Sequence, residues 1–308
     1  MLNKYLISNS GPRETTVALK NSSLVVLTKP TKQEIQDVCQ AFDLNKFTFQ
    51  YHSSPEEVSR FHQTASKVLN SPFLLVIYDF ITSFNHIENQ LAPSVIVFDD
   101  NHLIICTDSE EICEKVIRSN YTDLKTILFN YLLQCQYKVM RTLIGYKKQI
   151  DELDNAARQG FNNKRLRELT TLTRKLVFFE HTMNDQASTI ASFVKSKFCQ
   201  QVSTETCQEL AVQQRRLTKT IHIFRDLLES ISSLFTAMMD SNLNSLMKFL
   251  DSAGLVIAVA ALVTGFMGMN VGGLPWKDDF YGFWIILAVA LILSLLVAYI
   301  LRRKQYIK

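Results

Sequence analysis

Hydrophobic and polar positions change their period twice along this chain. In the first 120 residues the apolar positions come in short runs rich in β-branched and aromatic side chains, at 5–7, 15–19, 23–27, 47–51, 73–78, 94–98 and 102–107. Such runs predict strands. Thr31-Lys32-Gln33-Glu34 has the form of a capping box and predicts a helix through Phe42. Ser54-Pro55-Glu56-Glu57 predicts a second, with proline at the first helical position and acids near the positive helix end. Asp99-Asp100-Asn101 reads as a turn between two strands. Ser109-Glu110-Glu111 predicts a third helix, capped by Ser109 and running toward Ser119. An α/β domain over residues 1–120 follows.

From about residue 122 the helical period takes over. No proline falls between 94 and 274, which favours helix throughout. One helix is expected over about 122–158, a turn at Gly160 to Asn163, and a returning helix over about 164–198, together an antiparallel hairpin spanning 121–202. A third helix should open at Ser203-Thr204-Glu205 and meets no stop signal before Asn270, a length of ~100 Å at ~1.5 Å per residue. Its stalk portion, 203–249, repeats Leu210, Leu217, Phe224, Ile231 and Met238 every seven residues, joined by Ile221, Leu228 and Phe235. This seam suits packing against identical or neighbouring helices, and a stripe facing the chain's own core gives the same period. Continuity with the next segment favours self-association.

That segment and the one after it carry no charge, over 252–276 and 280–301. A helix needs about 20 residues to cross a hydrocarbon core of ~30 Å, so two membrane spans are expected, at 250–270 and 280–301, with a loop at 271–279 and a basic tail at 302–308. Buried core helices are the alternative. Basic residues flank the pair: Arg215, Arg216, Lys219 and Lys248 precede it and Arg302, Arg303 and Lys304 follow, while the loop sets Lys277 against Asp278 and Asp279. The excess of basic residues on one side places both termini in the cytosol. The basic tail suits anionic lipid.

Composition narrows the function. Half of the formal net charge of +4 lies from Asp251 onward, and the near balance before it, 28 basic against 26 acidic residues, leaves no footprint for nucleic acid. Cys39, Cys106, Cys113, Cys135, Cys199 and Cys207 form no C-x-x-C pair, so they read as reduced cytosolic thiols. The N-terminus lacks the pattern of a signal or transit peptide. No H-E-x-x-H, Walker loop or nucleophile elbow is present, which argues against an enzyme and against an ATP-driven pump. No resident cofactor is implied.

The candidate chemistry lies on the first span. Gly254, Ala258, Ala261, Gly265 and Gly268 alternate at spacings of four and three, placing small residues on one helical face. In a membrane this pattern supports close helix packing. Polar groups stand at its ends, Asn244 and Asp251 with Met247 between them on one side and Asn270 on the other. Asp251 is either an interfacial group facing water or part of an ion path, where a symmetric oligomer would make it a ring of carboxylates. Asp278 and Asp279 sit at the external mouth and could concentrate cations there.

Gly268-Met269-Asn270, placed after Asn244-Ser245-Leu246-Met247-Lys248-Phe249-Leu250 at the end of the first of two spans, resembles the signature of the CorA-type magnesium transporter family. The resemblance implies a funnel-shaped homopentamer of an α+β membrane protein, in a bacterial inner membrane, moving Mg²⁺ and in some members Co²⁺ or Ni²⁺. It places Gly268, Met269 and Asn270 at an outer selectivity ring, Asn244 at an inner polar ring, and Met247 and Leu250 at an apolar constriction. It further implies a regulatory Mg²⁺ between subunits, with Glu209 a candidate ligand by spacing. Three features depart from the family pattern: Asp251 where a small polar residue is usual, Ala258 and Ala261 where bulkier or hydroxylated residues occur, and Val271-Gly272-Gly273-Leu274-Pro275 after the signature. The last resembles the zinc-transporting branch, so a Zn²⁺ transporter, coupled to protons, stands beside the Mg²⁺ reading. A membrane-anchored coiled-coil sensor without transport is the alternative of another class.

Overall fold

The computed structural model describes residues 1–8, 11–54, 57–81, 90–119, 121–159, 163–269, 275 and 280–303. Two compact units are formed, the first from residues up to 232 apart from the stretch 157–161, the second chiefly from 233 onward.

The first unit is built on a seven-stranded sheet of β1 (Leu2–Ser8), β2 (Gly11–Glu14), β3 (Leu24–Thr28), β4 (Arg60–Gln63), β5 (Phe73–Phe80), β6 (Leu91–Phe98) and β7 (Leu103–Thr107). The order is β2-β1-β3-β7-β6-β5-β4. Only β3 and β7 run parallel; the other pairs are antiparallel. Strand alternation sends Leu24, Val26, Leu75, Ile77, Ile96 and Ile105 to one face and Val25, Leu27, Leu74, Val76, Val97 and Ile104 to the other. Both faces are covered, which is why the central strands read as continuous apolar runs. The second face meets α1 (Lys32–Ala41) through Val38 and Cys39, with Phe42 and Phe49 beyond it. The first face meets α2 (Glu110–Ile117), α3 (Leu124–Gln159), α4 (Asn163–Val194) and the start of α5 (Thr204–Met267).

Local chemistry sets several boundaries. The Thr31 hydroxyl accepts from the Glu34 amide while the Glu34 carboxylate accepts from the Thr31 amide, the reciprocal capping box expected. The Asp99 carboxylate organises the β6–β7 turn by accepting from the amides of Asn101 and His102, and it also holds the Asn70 amide. The α5 helix opens with the Ser203 hydroxyl accepting from the Thr206 amide. All six cysteines are buried and unpaired. Burial pushes the Cys113 and Cys199 thiols up to about 12, so they stay protonated.

Elsewhere tertiary demands override the local signal. The strand expected at 15–19 is replaced by β2, four residues earlier. Gly11 at φ 99° pairs with Ser8 and fixes a tight β1–β2 register. The strand expected at 47–51 is a series of turns, because the Asn45 side chain and carbonyl capture the amides of Phe47 and Thr48. Of the helix expected from Ser54, residues 55 and 56 lie outside the described set. Its continuation is extended and becomes β4, which pairs with the β5 edge and stacks Phe61 on Phe73 at 5.4 Å. Ser109 does not cap α2; its hydroxyl accepts from the Lys138 ammonium at 2.9 Å. Lys138 also lies 3.4 Å from the fully buried carboxylate of Asp79.

The seven-residue seam of α5 is corrected as well. Leu210, Leu217, Ile221, Phe224, Leu228, Ile231 and Phe235 are buried within the single chain, and only Met238 remains partly exposed. The seam is therefore part of the chain's own core, and a coiled coil has the same period. Beside it lies a buried polar knot. Gln214 of α5 accepts through Oε1 from Gln136 Nε2 of α3 (3.1 Å) and Gln186 Nε2 of α4 (3.0 Å), and donates to the Met183 carbonyl. Gln186 Oε1 in turn accepts from the Tyr78 amide of β5 at 2.7 Å. Replacing Gln214 by Leu removes the acceptor of the Gln186 amide, while Gln136 Nε2 keeps the Leu210 carbonyl, and at ~1–3 kcal/mol for a buried unsatisfied group the unit should lose about 2 kcal/mol. Calorimetry of the purified chain in detergent checks this as a lowered first transition.

Candidate functional site

The second unit contains the C-terminal part of α5 and α6 (Gly282–Arg303). Each carries an apolar window long enough to cross a membrane, and only 6% of each window is buried. That exposure decides against the core-helix alternative, since a soluble core helix would be covered. The ends of α6 fit the same reading. Tyr281 and Trp284 stand at its start and Arg302 and Arg303 at its finish, the interfacial groups of a membrane span.

Helical rotation of ~100° per residue divides α5 into two faces. Ser252, Val256, Val259, Val263 and Met267 form a line that is buried or half-buried within the chain. About half a turn away run Met247, Gly254, Ala258, Ala261, Gly265 and Gly268, with Asn244 and Asp251 toward one edge of that face, all exposed. Leu250, 18 residues and so five whole turns before Gly268, is exposed on the same face, and Met269 follows the helix end, also exposed. Leu255, Leu262 and Phe266 flank the small residues with bulk.

Glycine within a helix costs about 1 kcal/mol relative to alanine. At Gly254 and Gly265 an added Cβ would meet nothing within 4 Å in this chain, so no intrachain contact requires their small size. The space they leave is open to whatever lies against this face. Gly268 differs: a Cβ there would sit 3.3 Å from the Thr264 carbonyl oxygen, close to the last helical turn. Thr264 turns its hydroxyl onto the Ala260 and Ala261 carbonyls, leaving it engaged with its own helix.

The helix stops at the signature. Gly268 N–H still reaches the Thr264 carbonyl at 3.0 Å and Met269 N–H reaches Phe266 at 3.4 Å. The C-terminus of α5 thus lies at Met267, immediately before Gly268-Met269, and a helix C-terminus carries about half a negative charge together with carbonyls lacking intrahelical donors. That end favours cations. Asn270, Asp278 and Asp279 lie outside the described residues.

Glu209 lies in the first unit, exposed, and accepts from the Tyr137 hydroxyl at 2.7 Å. That hydrogen bond raises the phenol's pKa. Among the described residues no three His, Cys, Asp or Glu side chains come together as a metal site. One carboxylate that the apolar pattern does not reach, Asp240, is exposed on the same line as Asp251, three turns earlier. The signal for it is its spacing of 11 residues from Asp251, close to a whole number of turns.

Comparison with known proteins gives this geometry its context. The CorA-like Mg²⁺ transporter protein family matches residues 23–303. The cobalt/magnesium transport protein CorA of Methanocaldococcus jannaschii is 20% identical over 294 residues, covering 90% of this chain and 89% of that protein. The complete structure of the CorA magnesium transporter from that organism is similar with a TM-score of 0.82 at 16% identity, over 100% of this chain and 99% of that one. The ZntB cytoplasmic domain from Vibrio parahaemolyticus is similar with a TM-score of 0.65 at 11% identity, over 78% of this chain and 98% of that one. With the family match extending over both units and both transmembrane helices, the chain belongs to the CorA-like Mg²⁺ transporter family and is a membrane-spanning divalent-cation transporter.

Proposed function

We propose that this protein is a homopentameric Mg²⁺ uptake channel whose α5 copies surround a central conduit, with Gly268, Met269 and Asn270 at its outer end and both chain termini in the cytosol. The observation that carries the reading is the exposed small-residue face of α5, opposite its half-buried line and open at Gly254 and Gly265. In hydrocarbon such a face is covered by other helices or lines water. Mg²⁺ surrenders its waters reluctantly and prefers octahedral oxygen coordination. Neutral amide and carbonyl oxygens can hydrogen-bond its hydration shell without stripping it, and the negative end of α5 adds attraction. A regulatory Mg²⁺ using Glu209 would draw its other ligands from a neighbouring copy.

A second reading, Zn²⁺ transport coupled to protons, is supported by Val271-Gly272-Gly273-Leu274-Pro275 and by the ZntB fold similarity. Uptake of Mg²⁺ into proteoliposomes, with Zn²⁺ as competitor at two pH values, separates the two. Mg²⁺ uptake insensitive to the pH gradient is expected. Zn²⁺ uptake driven by a proton gradient, with Mg²⁺ excluded, would replace the first reading by the second, and no flux of either ion would leave a non-transporting anchor.

A further inference from the structure

Between α3 and α4 lies an open cleft of about 570 Å³, formed by Gln149 of α3 and by one face of α4 from Asn163 to Lys175. Lys164, Arg167, Thr171 and Lys175 follow one another at spacings of three and four, so they stand in a row ~16 Å long. Three of the side chains lining the cleft are cationic and one, Glu168, is acidic. The Glu168 carboxylate is already engaged at 2.8 Å by Arg165, which lies outside the cleft. Among the described residues neither Arg167 nor Lys175 has an ion-pair partner. The Lys175 ammonium stands 5.6 Å from the centre of the buried Tyr146 ring, a contact that positions it without supplying a counter-charge. Like charges three or four residues apart on a helix repel one another, and a walled row of them draws anions. The positive end of α4, which begins at Asn163, adds the same sign.

We propose that this cleft binds a soluble polyphosphate anion of the triphosphate class in its Mg²⁺-free form, with Lys164, Arg167 and Lys175 holding phosphate oxygens and the Gln149 and Asn163 amides donating beside them. Arginine and lysine meet phosphate through charge-assisted hydrogen bonds, the stronger kind. A row of cations over ~16 Å suits an anion that carries charge along its length better than a single compact ion. Chelated Mg²⁺ cancels two of the ligand's charges and occupies the same oxygens, and it takes its remaining protein ligands from carboxylates. The one carboxylate of the cleft is held by Arg165, so the metal complex loses attraction here and gains no ligand in exchange. Occupancy then falls as free Mg²⁺ rises, which ties the site to the transported ion. That tie rests on the Mg²⁺ reading above; binding of the anion does not.

Isothermal titration calorimetry of the full chain in detergent, with inorganic triphosphate in Mg²⁺-free buffer of low ionic strength, tests this. Arg167→Gln and Lys175→Gln should each weaken binding about tenfold and the double variant about a hundredfold, as the loss of hydrogen bonds to a charged group predicts. Glutamine is as good a helix former as lysine or arginine, so α4 is kept in these variants. Lys219→Gln removes an exposed cation of α5 outside the cleft and should bind like the wild type. Excess Mg²⁺ should weaken wild-type binding. Absence of binding by the wild type would overturn the proposal, and so would a loss in Lys219→Gln equal to that in the cleft variants, which marks diffuse attraction only. Affinity unchanged by excess Mg²⁺ would overturn the preference for the metal-free anion. Lipid phosphate is the other source of the same chemistry. Dioctanoyl phosphatidylglycerol that binds more tightly than triphosphate, and loses that affinity in the double variant, would assign the cleft to lipid and overturn the soluble ligand. Calorimetry reads the anion alone, so a failure of Mg²⁺ flux in proteoliposomes would strike the channel reading and leave the anion site intact.

Discussion

Replacing Gly265 by Phe should reduce divalent-cation uptake to the level of protein-free liposomes while leaving the chain as stable as before. Both halves of that expectation come from the same position. Within the chain, Cβ at 265 meets nothing within 4 Å, so a side chain can start there without a clash at its base. Phenylalanine is also a better helix former than glycine, by a few tenths of a kcal/mol. A single chain thus tolerates the change, and any loss of flux arises from what faces position 265 from outside. On a conduit face the ring fills the lumen or forces neighbouring helices apart. Leu295→Phe on α6, a bulky change at a position 61% exposed, should leave uptake near wild type. Equal uptake in both variants would show that the small-residue face looks onto lipid.

The elements that were legible in the sequence are those whose signal is local or long. Thr31 and Glu34 satisfy each other within one turn, so their capping box survives any tertiary context. The α5 helix is legible because no proline or glycine interrupts residues 204–253. Local signals fail where the sheet has its own needs. Pro55-Glu56-Glu57 opens a helix in isolation, but β5 would then be left with an unpaired edge, and residues 60–63 supply the missing strand. The seven-residue seam is ambiguous for a different reason: core and coiled coil impose the same period, and only the three-dimensional cover of Leu217 and Ile221 separates them. At the site, small residues and the signature tripeptide are visible as a pattern within the apolar run. Asp240 is not, because it precedes that run and joins the face only when α5 is known to continue through it without a break.

The same continuity gives Asn270 its expected weight. Asn270→Ala should lower Mg²⁺ uptake at subsaturating concentrations roughly ten- to hundredfold, the equivalent of losing a hydrogen bond to a charged species at ~1.5–3 kcal/mol. The residual attraction comes from the C-terminus of α5, which ends at Met267 beside Gly268-Met269 and is untouched by the change. The alanine variant should therefore keep cation over anion preference while losing discrimination among cations. Asn270→Asp makes the opposite error. A carboxylate at the mouth holds a divalent cation more tightly than an amide, so uptake should saturate at lower Mg²⁺ and reach a lower maximum, because a conducting site must release what it binds. Concentration series of uptake for the two variants thus shift half-saturation in opposite directions, while both reduce flux near the wild-type working range. If both variants instead behave alike, with unchanged half-saturation, Asn270 contributes to folding of the outer loop and not to ion recognition.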